Sequence, residues 1–264
     1  MLSIIIVNYN QKNLLKQSLK GINLVKPKLD YEIIVVDNAS KDGSQEMLNE
    51  FKIYGLKFKV ILSYQNKGFA AGCNLGIKES KGDYLLILNP DIVVLENSIE
   101  NLYKFMEKNT QVGICGPKLL NPDKSIQFSC YRFPQWYIPI IRRTFLGKFS
   151  WAKKRLDHYL MTDFNHQENK EVDWLLGACL MIRKKALEEV GLFDERFFLY
   201  FEDVDLSRRM KLAGWKVFYL ASSEMFHYYQ RTSAEQEGIF ALFSKITWIH
   251  ISSALKYFLK WYKK

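Results

Sequence analysis

Cysteine is scarce in this sequence, and long hydrophobic runs are missing. The four cysteines among 264 residues are scattered, without the spacing of a metal site or a disulfide framework. We therefore expect a reducing, cytoplasmic environment. No stretch approaches the roughly 20 apolar residues that a membrane-spanning helix needs. A signal peptide is not expected either, because the apolar run Ile4–Val7 is short and follows no basic segment.

Two phosphate-binding signatures are absent as well. The sequence contains no G-x-G-x-x-G and no G-x-x-x-x-G-K-[ST], which argues against a dinucleotide site and a P-loop. The net charge of +10 favours an anionic partner such as nucleic acid, a lipid surface or a phosphorylated small molecule. Because the basic residues are spread out and no RNA- or DNA-binding motif is present, we expect no nucleic-acid partner.

Strand and helix patterns alternate in the first half of the chain. Strands are predicted at 3–9, 31–38, 57–64 and 83–89, and helices at 11–22, 41–51, 68–80 and about 97–108. Continuous apolar strands in βαβ alternation predict a parallel sheet covered by helices on both faces. The second half is less regular. Strands are predicted at 112–120 and 215–220, a strand entering a helix at 172–187, helices at 203–214 and 235–262, and irregular structure at 122–170.

Polar side chains end each predicted strand of the parallel sheet. These residues are Asn8 and Asn10, Asp37 and Asn38, Asn66, and Asn89 with Asp91. Ligands of open parallel α/β sheets bind beyond the carboxyl ends of the strands, so this row predicts a ligand-binding edge. Asp91 follows a proline inside the apolar run LLILNPDIVV, where a carboxylate is rare unless it is paired or binds a metal.

An acidic cluster follows an aromatic run in FLYFEDVDLSRRM, residues 198–210. Glu202, Asp203 and Asp205 begin a predicted helix, a position that capping and the helix dipole alone favour for carboxylates. The aromatic residues before them also favour a raised carboxyl pKa, as a general base needs. His227, in the aromatic stretch MFHYYQR, is either structural or, if the fold brings it near Asp91, a metal ligand.

Taken together, these motifs resemble the family 2 glycosyltransferases, which are inverting enzymes with the GT-A fold, and most of all the bacterial rhamnosyltransferase branch. The matching motifs are SIIIVNYN, IIVVDNAS, NKGFAAGCNLGI, LLILNPDI, the segment 174–210 and FHYYQ. The resemblance implies a doubly wound, mostly parallel α/β sheet, a smaller mixed acceptor-side region and a C-terminal helical extension. The implied boundaries are a catalytic domain at 1–234, divided into a nucleotide-sugar half (1–121) and an acceptor half (122–234), and an amphipathic extension at 235–264.

The resemblance also assigns roles to the residues of the predicted edge. Asp37 would contact the nucleobase, with Asn38 nearby, and Tyr9 and Asn10 would line the base and ribose pocket. The donor-binding turn would use Asn66, Gly68 and Asn74. The metal-binding D-x-D element falls on Asn89-Pro90-Asp91, where the first aspartate is replaced by Asn89. Asp203, beside Glu202, would be the catalytic base, and His227, 24 positions further on, would complete the metal site with Asp91.

The implied reaction is transfer of a sugar, L-rhamnose from dTDP-L-rhamnose, with the help of Mg²⁺ or Mn²⁺. The implied acceptor is a saccharide or lipid-linked saccharide in bacterial cell-surface polysaccharide synthesis. A UDP-hexose is the alternative donor, and a basic nucleic-acid-binding protein is the alternative from another class.

The C-terminal stretch 238–264 is aromatic and contains five lysines. This composition is typical of a helix at a membrane interface, which would place the protein peripherally on the inner face of the cell membrane. Packing on its own domain or across a homodimer explains the pattern equally well. The segment 136–155 has a similar composition and is predicted to belong to the same surface.

Overall fold

The computed structural model describes residues 1–53, 58–228 and 244–262. Its strands are β1 (Leu2–Asn8), β2 (Tyr31–Asp37), β3 (Lys59–Leu62), β4 (Tyr84–Leu88), β5 (Ile92–Val94), β6 (Val112–Leu120), β7 (Ile126–Gln127), β8 (Cys130–Tyr131), β9 (Lys170–Glu171), β10 (Trp174–Leu175), β11 (Cys179–Arg183) and β12 (Lys216–His227). Its helices are α1 (Lys12–Val25), α2 (Ser44–Ile53), α3 (Phe69–Lys78), α4 (Ser98–Lys108), α5 (Ile138–Arg143), α6 (Ser150–Leu160), α7 (Lys184–Val190), α8 (Glu202–Leu212) and α9 (Lys245–Tyr262), with a 3-10 helix at Phe145–Lys148.

One sheet organises the described residues, with the strand order β3-β2-β1-β4-β11-β6-β12-β5 and with β7 and β9 at its side. Strands β3, β2, β1 and β4 are parallel to one another, while β11 runs antiparallel between β4 and β6. The predicted α/β class with a mostly parallel sheet is therefore confirmed.

The two faces of the sheet are both covered, as alternation along β1 requires. Ile4 and Ile6 belong to a buried cluster that contains Leu19 of α1, whereas Ile5 lies in a second cluster with Ile77 of α3 and Leu206 of α8. Full burial of one such aliphatic side chain contributes about 1.5–3 kcal/mol. The apolar strands predicted from the sequence are therefore buried on both sides.

The interruption at Asn89–Asp91 redirects the chain across the sheet. β4 lies at the centre of the sheet, but β5, which is separated from the end of β4 by only three residues, pairs antiparallel with β12 at the far edge. In this pairing Ile92 is opposite His227. Pro90, which has no N–H for a ladder, lies in the turn between the two strands. The turn thereby carries Asp91 from the central strand to the end of β12.

Residues 122–170 are more regular than expected, and the prediction of irregular structure was wrong for α5, the 3-10 helix, α6, β7, β8 and the start of β9. The elements are short, and their apolar residues pack on distant partners. Tyr131 of β8 stacks on Trp174 of β10, with 4.4 Å between ring centroids, and on Tyr159 of α6 at 5.4 Å. Contacts over such separations leave no local periodicity to detect.

Strand β12 is longer than predicted, because it continues to His227 instead of ending at residue 220. Its pairing with β6 is shifted between Leu220 and Glu224, which marks an irregularity of the β-bulge type. The extension past this irregularity brings His227 to the edge strand β5.

The C-terminal helix α9 packs on the rest of the domain. Tyr257 is completely buried, in a cluster with Phe201 and Val204. Lys260 forms ion pairs with Asp194 at 2.9 Å and Asp205 at 2.7 Å, and the indole of Trp261 donates to Asp205 at 2.9 Å. The part of the predicted helix at 235–243 and the domain boundary at 234 lie outside the described residues. Among the described helices, none combines the length and the apolar character needed to cross a membrane.

Candidate active site

Asp203 is buried at the start of α8 and is held by backbone donors. Its Oδ2 accepts from the N–H of Gly177 at 2.8 Å, and its Oδ1 accepts from the N–H of Val204 at 2.8 Å. Burial raises the pKa of Asp203, and the hydrogen bonds from Gly177 and Val204 only partly oppose the shift. A fixed carboxylate with a raised pKa has the properties of a general base.

Glu202, directly before Asp203, is also buried, and its Oε2 has no hydrogen-bond partner within the described residues. Burial, followed by the neighbouring charge of Asp203, raises the pKa of Glu202 well above its usual range. The two carboxyls thus differ in support: Asp203 has two backbone donors for its charged form, whereas Glu202 is favoured in its neutral form.

The turn before α8 has an unusual backbone. Tyr200 and Phe201 both have a φ of 69°, in the left-handed region that bulky residues avoid. Aromatic rings from α9 pack against this turn. The ring centroid of His250 lies 5.0 Å from that of Tyr200 and 5.4 Å from that of Phe201, and the centroid of Tyr257 lies 5.3 Å from that of Phe201. Such strain persists only where the surrounding structure enforces it. Helix α9 therefore supports the turn that positions Asp203.

A short segment, Leu176–Ala178, connects the carboxylate of Asp203 to the end of β4. Gly177 donates to Asp203, and the carbonyl of the next residue, Ala178, accepts from the N–H of Asn89 at 2.8 Å. A Cβ on Gly177 would lie 3.2 Å from Asp203 Oδ2, so glycine allows this close approach. The candidate base and the D-x-D position consequently flank the same segment.

The structure brings Asp91 and His227 together, as the metal hypothesis requires. Nε2 of His227 lies 3.4 Å from Oδ1 of Asp91, and both side chains are largely shielded from solvent. On the other side of the ring, Nδ1 is 2.6 Å from Oε1 of Gln127, whose amide nitrogen donates to Asn121. Because Oε1 can only accept, Nδ1 is the donor in this contact, and Nε2 is the ring nitrogen that faces Asp91.

These residues fit a divalent cation. Oδ1 of Asp91 and Oδ1 of Asn89 are buried and have no hydrogen-bond donor among the described residues, although buried oxygens normally have one. Carboxylate, amide oxygen and imidazole together suit Mn²⁺, and Mg²⁺ accepts few protein ligands when substrate phosphates complete its shell. No group of three or more His, Cys, Asp or Glu suited to a metal occurs in the described part of the chain.

At the opposite end of the edge, Asp37 is the centre of a satisfied network. It accepts from the side chains of Asn8 at 3.0 Å and Gln45 at 2.9 Å and from the N–H of Ser40 at 3.0 Å, and it is completely buried. Asn10, with a φ of 52°, accepts from the N–H of Lys41. The neighbouring ring of Tyr9 is half exposed, as a surface for a base requires.

The predicted donor-binding turn is tightly built. Oδ1 of Asn66 accepts from the N–H of Gly68 at 2.8 Å and from the side chain of Asn38 at 3.0 Å. Gly68 has a φ of 93°, and a Cβ there would meet the carbonyl oxygen of Phe198 at 2.2 Å. Only glycine fits this position. The turn thereby contacts the segment that leads to Asp203.

Asn74 is turned into the interior and not toward the sheet edge. Its side-chain nitrogen donates to the carbonyl of Phe193 and to Glu195, and its oxygen accepts from the N–H of Phe193. These contacts fasten α3 to the loop before α8. The role of Asn74 in donor binding stays a prediction, while its contacts give it a part in shaping the loop.

The comparisons with known proteins agree with this architecture. The family model described as "Glycosyl transferase family 2" matches residues 3–191, more than two thirds of the chain. The chain belongs to glycosyl transferase family 2. The predicted family is therefore confirmed, and with it glycosyltransferase activity.

Two relatives of this family 2 enzyme carry the name of a rhamnosyltransferase. N-acetylglucosaminyl-diphospho-decaprenol L-rhamnosyltransferase of Mycobacterium tuberculosis is 28% identical over 86% of this chain and 76% of its own length. Rhamnosyltransferase WbbL of Escherichia coli is 24% identical over 97% of this chain and 92% of its own length. These similarities agree with the predicted branch and with a place in polysaccharide synthesis.

A solved structure supports the predicted GT-A fold. GalNAc-T7, crystallised with UDP, GalNAc and Mn²⁺, superposes with a TM-score of 0.65 at 18% identity, over 87% of this chain and 44% of that one. At this identity the likeness concerns the fold alone.

Several residues of the candidate site were not found from the sequence. Gln127 orients His227, Gly177 donates to Asp203, and Ser40 and Gln45 hold Asp37. Gln127 lies in a two-residue strand within the segment predicted to be irregular, so no local pattern marked it. Gly177 is within a quoted motif, but its role depends on a contact with a residue 26 positions away.

Proposed function

We propose that this enzyme is an inverting, metal-dependent rhamnosyltransferase that uses dTDP-L-rhamnose. Its acceptor would be a saccharide or lipid-linked saccharide of a bacterial cell-surface polysaccharide. The observation that carries the proposal is the arrangement of Asp203 and the Asp91–His227 pair around the sheet edge, with one oriented base and one place for a cation. The names of the two relatives support the choice of rhamnose.

In the proposed reaction Asp203 takes the proton from an acceptor hydroxyl. The oxygen attacks the anomeric carbon of the donor, and the bond from that carbon to the diphosphate oxygen breaks on the opposite face. The nucleoside diphosphate leaves with the electron pair. A single base without a carboxylate nucleophile leads to inversion, as in inverting glycoside chemistry. The backbone donors of Gly177 and Val204 keep the carboxylate of Asp203 aimed during the transfer.

Asp91, His227 and the amide of Asn89 would hold Mg²⁺ or Mn²⁺, which neutralises charge on the departing diphosphate when it is bound. Gln127 would fix the histidine ring through Nδ1, a contact that typically supports metal ligands. At the other end of the edge, Tyr9, Asn10, Asp37 and Asn38 would form the base and ribose pocket. Because Asp37 already accepts three hydrogen bonds, a base would replace one of these donors or use a remaining lone pair.

A donor screen tests the function. The purified chain is incubated with a lipid-linked saccharide acceptor and with dTDP-rhamnose, a UDP-hexose or GDP-mannose, in the presence and absence of Mn²⁺, and release of nucleoside diphosphate is measured. We expect turnover with dTDP-rhamnose only when the cation is present. Preferential turnover of a UDP-hexose would show that the donor is a UDP-hexose and not dTDP-rhamnose. Binding of single-stranded nucleic acid without any turnover would contradict the enzyme assignment.

The predicted membrane contact stays a separate proposal. Two of the five C-terminal lysines contact the domain itself, since Lys260 pairs with Asp194 and Asp205 and Lys256 donates to the carbonyl of Arg196. Outward-facing Leu255 and Leu259 of α9 remain about 60% exposed. If these residues enter an anionic surface, the chain should sediment with phosphatidylglycerol vesicles at low salt. Recovery of all the protein in the supernatant would contradict the membrane contact. Sedimentation equilibrium of the same protein tests whether it forms a homodimer.

A further inference from the structure

A cleft lies on the acceptor side of the molecule, outside the site described above. It consists of two adjoining lobes of about 480 and 320 Å³, which share Phe133, Gln135 and His158. The first lobe is closed by the end of α9 and by Arg208 of α8, and the second by α6. Its walls therefore combine residues of α6, α8 and α9.

The charges of the cleft are unevenly matched. Arg132 forms a two-point ion pair with Asp163, and Lys211 pairs with Asp173 at 2.8 Å, so these cations are neutralised. Arg208, by contrast, has no carboxylate partner among the described residues. Its guanidinium donates to the hydroxyl of Tyr257 at 3.1 Å and lies 4.9 Å from the ring of Trp261 and 5.5 Å from that of Phe133.

Arg155, in the second lobe, has a similar environment. It donates to the hydroxyl of Tyr137 at 2.7 Å, and its guanidinium lies 4.8 Å from the centre of the same ring. No carboxylate within the described ranges pairs with it, and exposed Lys154 lines the lobe beside it. Each of these arginines is held by an aromatic ring and has unused N–H donors, which suit phosphate oxygens.

The cleft is also close to the candidate base. Arg208 follows Asp203 by five residues on α8, which at 1.5 Å per residue is about 7.5 Å along the helix axis. Tyr159, at the floor of the second lobe, joins the ring cluster of Tyr131 and Trp174, which leads into the segment that contains Gly177. The cleft is thus linked to the candidate base through α8 and through this ring cluster.

We propose that this cleft binds the diphosphate of a lipid-linked saccharide acceptor through Arg208 and Arg155. The proposal rests on the proposed transferase function and makes its acceptor more specific: a sugar joined by a diphosphate to a hydrocarbon chain. Tyr262 of α9 lines the first lobe and Trp151 lies on α6, and each of these rings is about half exposed. They offer the hydrocarbon chain a surface next to the anion.

Binding of a defined probe tests the cleft. The probe is N-acetylglucosaminyl diphosphoundecane, and the matched uncharged probe is the undecyl glycoside of N-acetylglucosamine. Calorimetry is performed with dTDP and Mn²⁺ at saturation, so that the donor site is filled. We expect Arg208→Gln and Arg155→Gln each to weaken the diphosphate probe about tenfold or more, as loss of a charge-assisted hydrogen bond implies. Neither should change binding of the uncharged glycoside or of dTDP.

Lys153→Gln is the matched control, since Lys153 is an exposed cation of α6 that does not line the cleft. Arg208 packs on aromatic rings, so thermal melting of its variant is measured in parallel. Exposed Arg155 provides the second variant in case the first does not fold. The proposal is overturned if the Arg155 variant, or a folded Arg208 variant, binds the diphosphate probe as the parent does. It is also overturned if the uncharged glycoside loses affinity to the same extent.

Two further arms separate the sources of phosphate. Inorganic pyrophosphate that binds as tightly as the lipid-linked probe would identify a free-phosphate site and contradict the proposal. Equal loss of binding to phosphatidylglycerol vesicles in the two variants would identify a general anionic-lipid surface and contradict it too. Because no arm requires turnover, the cleft can be assessed even if the donor screen fails, and a successful donor screen does not rescue it.

Discussion

Two aspartates lie at the same sheet edge, Asp37 at the end of β2 and Asp91 in the turn after β4, and their environments differ sharply. Asp37 is enclosed by three hydrogen-bond donors from its own domain. Asp91 has an oxygen without any donor in the described structure and a histidine nitrogen 3.4 Å away. The first aspartate belongs to a finished frame, whereas the second retains the capacity to bind a ligand. In the proposed function, the edge would thus separate the base and ribose pocket from the groups that act on the diphosphate and the acceptor.

The largest expected effect comes from the base. Asp203→Asn keeps the size and one of the two acceptor oxygens but removes basicity, so turnover should fall about 10²–10⁴-fold, with dTDP affinity changed by only a few-fold. Steady-state kinetics and calorimetry measure the two effects. If Glu202→Gln is inactive while Asp203→Asn turns over normally, the base is Glu202 and the two carboxyls exchange roles.

The pH profile sharpens the same assignment. A base acts in its ionised form, and burial raises the pKa of Asp203, so kcat/KM should rise with pH through an acidic limb that lies above the ordinary aspartate value of about 3.9. Rates measured from pH 4 to 8 check this. A profile that is already flat at pH 4.5 would speak against the buried carboxylate.

Removal of Tyr257 tests whether α9 is part of the catalytic domain. Tyr257→Ala deletes a completely buried ring beside Phe201 and should destabilise the protein by about 3–5 kcal/mol, as for other buried aromatic residues. Chemical denaturation gives the free energy of unfolding. Leu259→Ala, on the exposed side of the same helix, is the control and should change it by less than about 0.5 kcal/mol. Equal stability of both variants would show that α9 packs only loosely.

Breaking the Asp91–His227 pair should remove the capacity to bind a cation that distinguishes Asp91 from Asp37. Asp91→Ala and His227→Ala should each weaken Mn²⁺-dependent dTDP binding. Gln127→Leu removes only the hydrogen bond that supports the histidine, so it should lower the same affinity by at most about 10–100-fold. Binding measured in EDTA should be the same in all variants and the parent. If the parent binds dTDP equally with and without a divalent cation, the metal assignment is wrong.

The smallest expected effect concerns Glu202. Burial raises the pKa of Glu202 on folding, so the native state favours the neutral carboxyl. As pH rises above the pKa of about 4.3 in the unfolded chain, ionisation favours the unfolded state and the free energy of unfolding falls. Glu202→Gln should therefore raise the melting temperature at pH 7, by about 2–4 °C for each kcal/mol gained, but not at pH 4. Calorimetric melting at both pH values compares them. Lower stability at pH 7 would show that the charged carboxylate has a favourable partner.

Sequence patterns predicted the first half of the chain well because its structure is local. Apolar runs such as Ile4–Val7 form buried strands whichever helices cover them, and polar strand ends meet at one edge by the geometry of parallel strands. The same reasoning predicted Asp203 as a carboxylate next to aromatic walls. It missed Gln127 and the helices between residues 122 and 170, whose signals are too short for periodicity.

The sequence by itself determined the α/β class, the polar edge and the acidic start of α8, because these follow from patterns repeated over a few residues. Only the tertiary structure decided that β5 crosses to β12, which puts Asp91 beside His227. It alone decided that α9 folds back on Asp205 and surrounds the strained turn before Asp203. Both outcomes depend on contacts between residues more than 45 positions apart, and no local pattern contains the packing free energy that selects them.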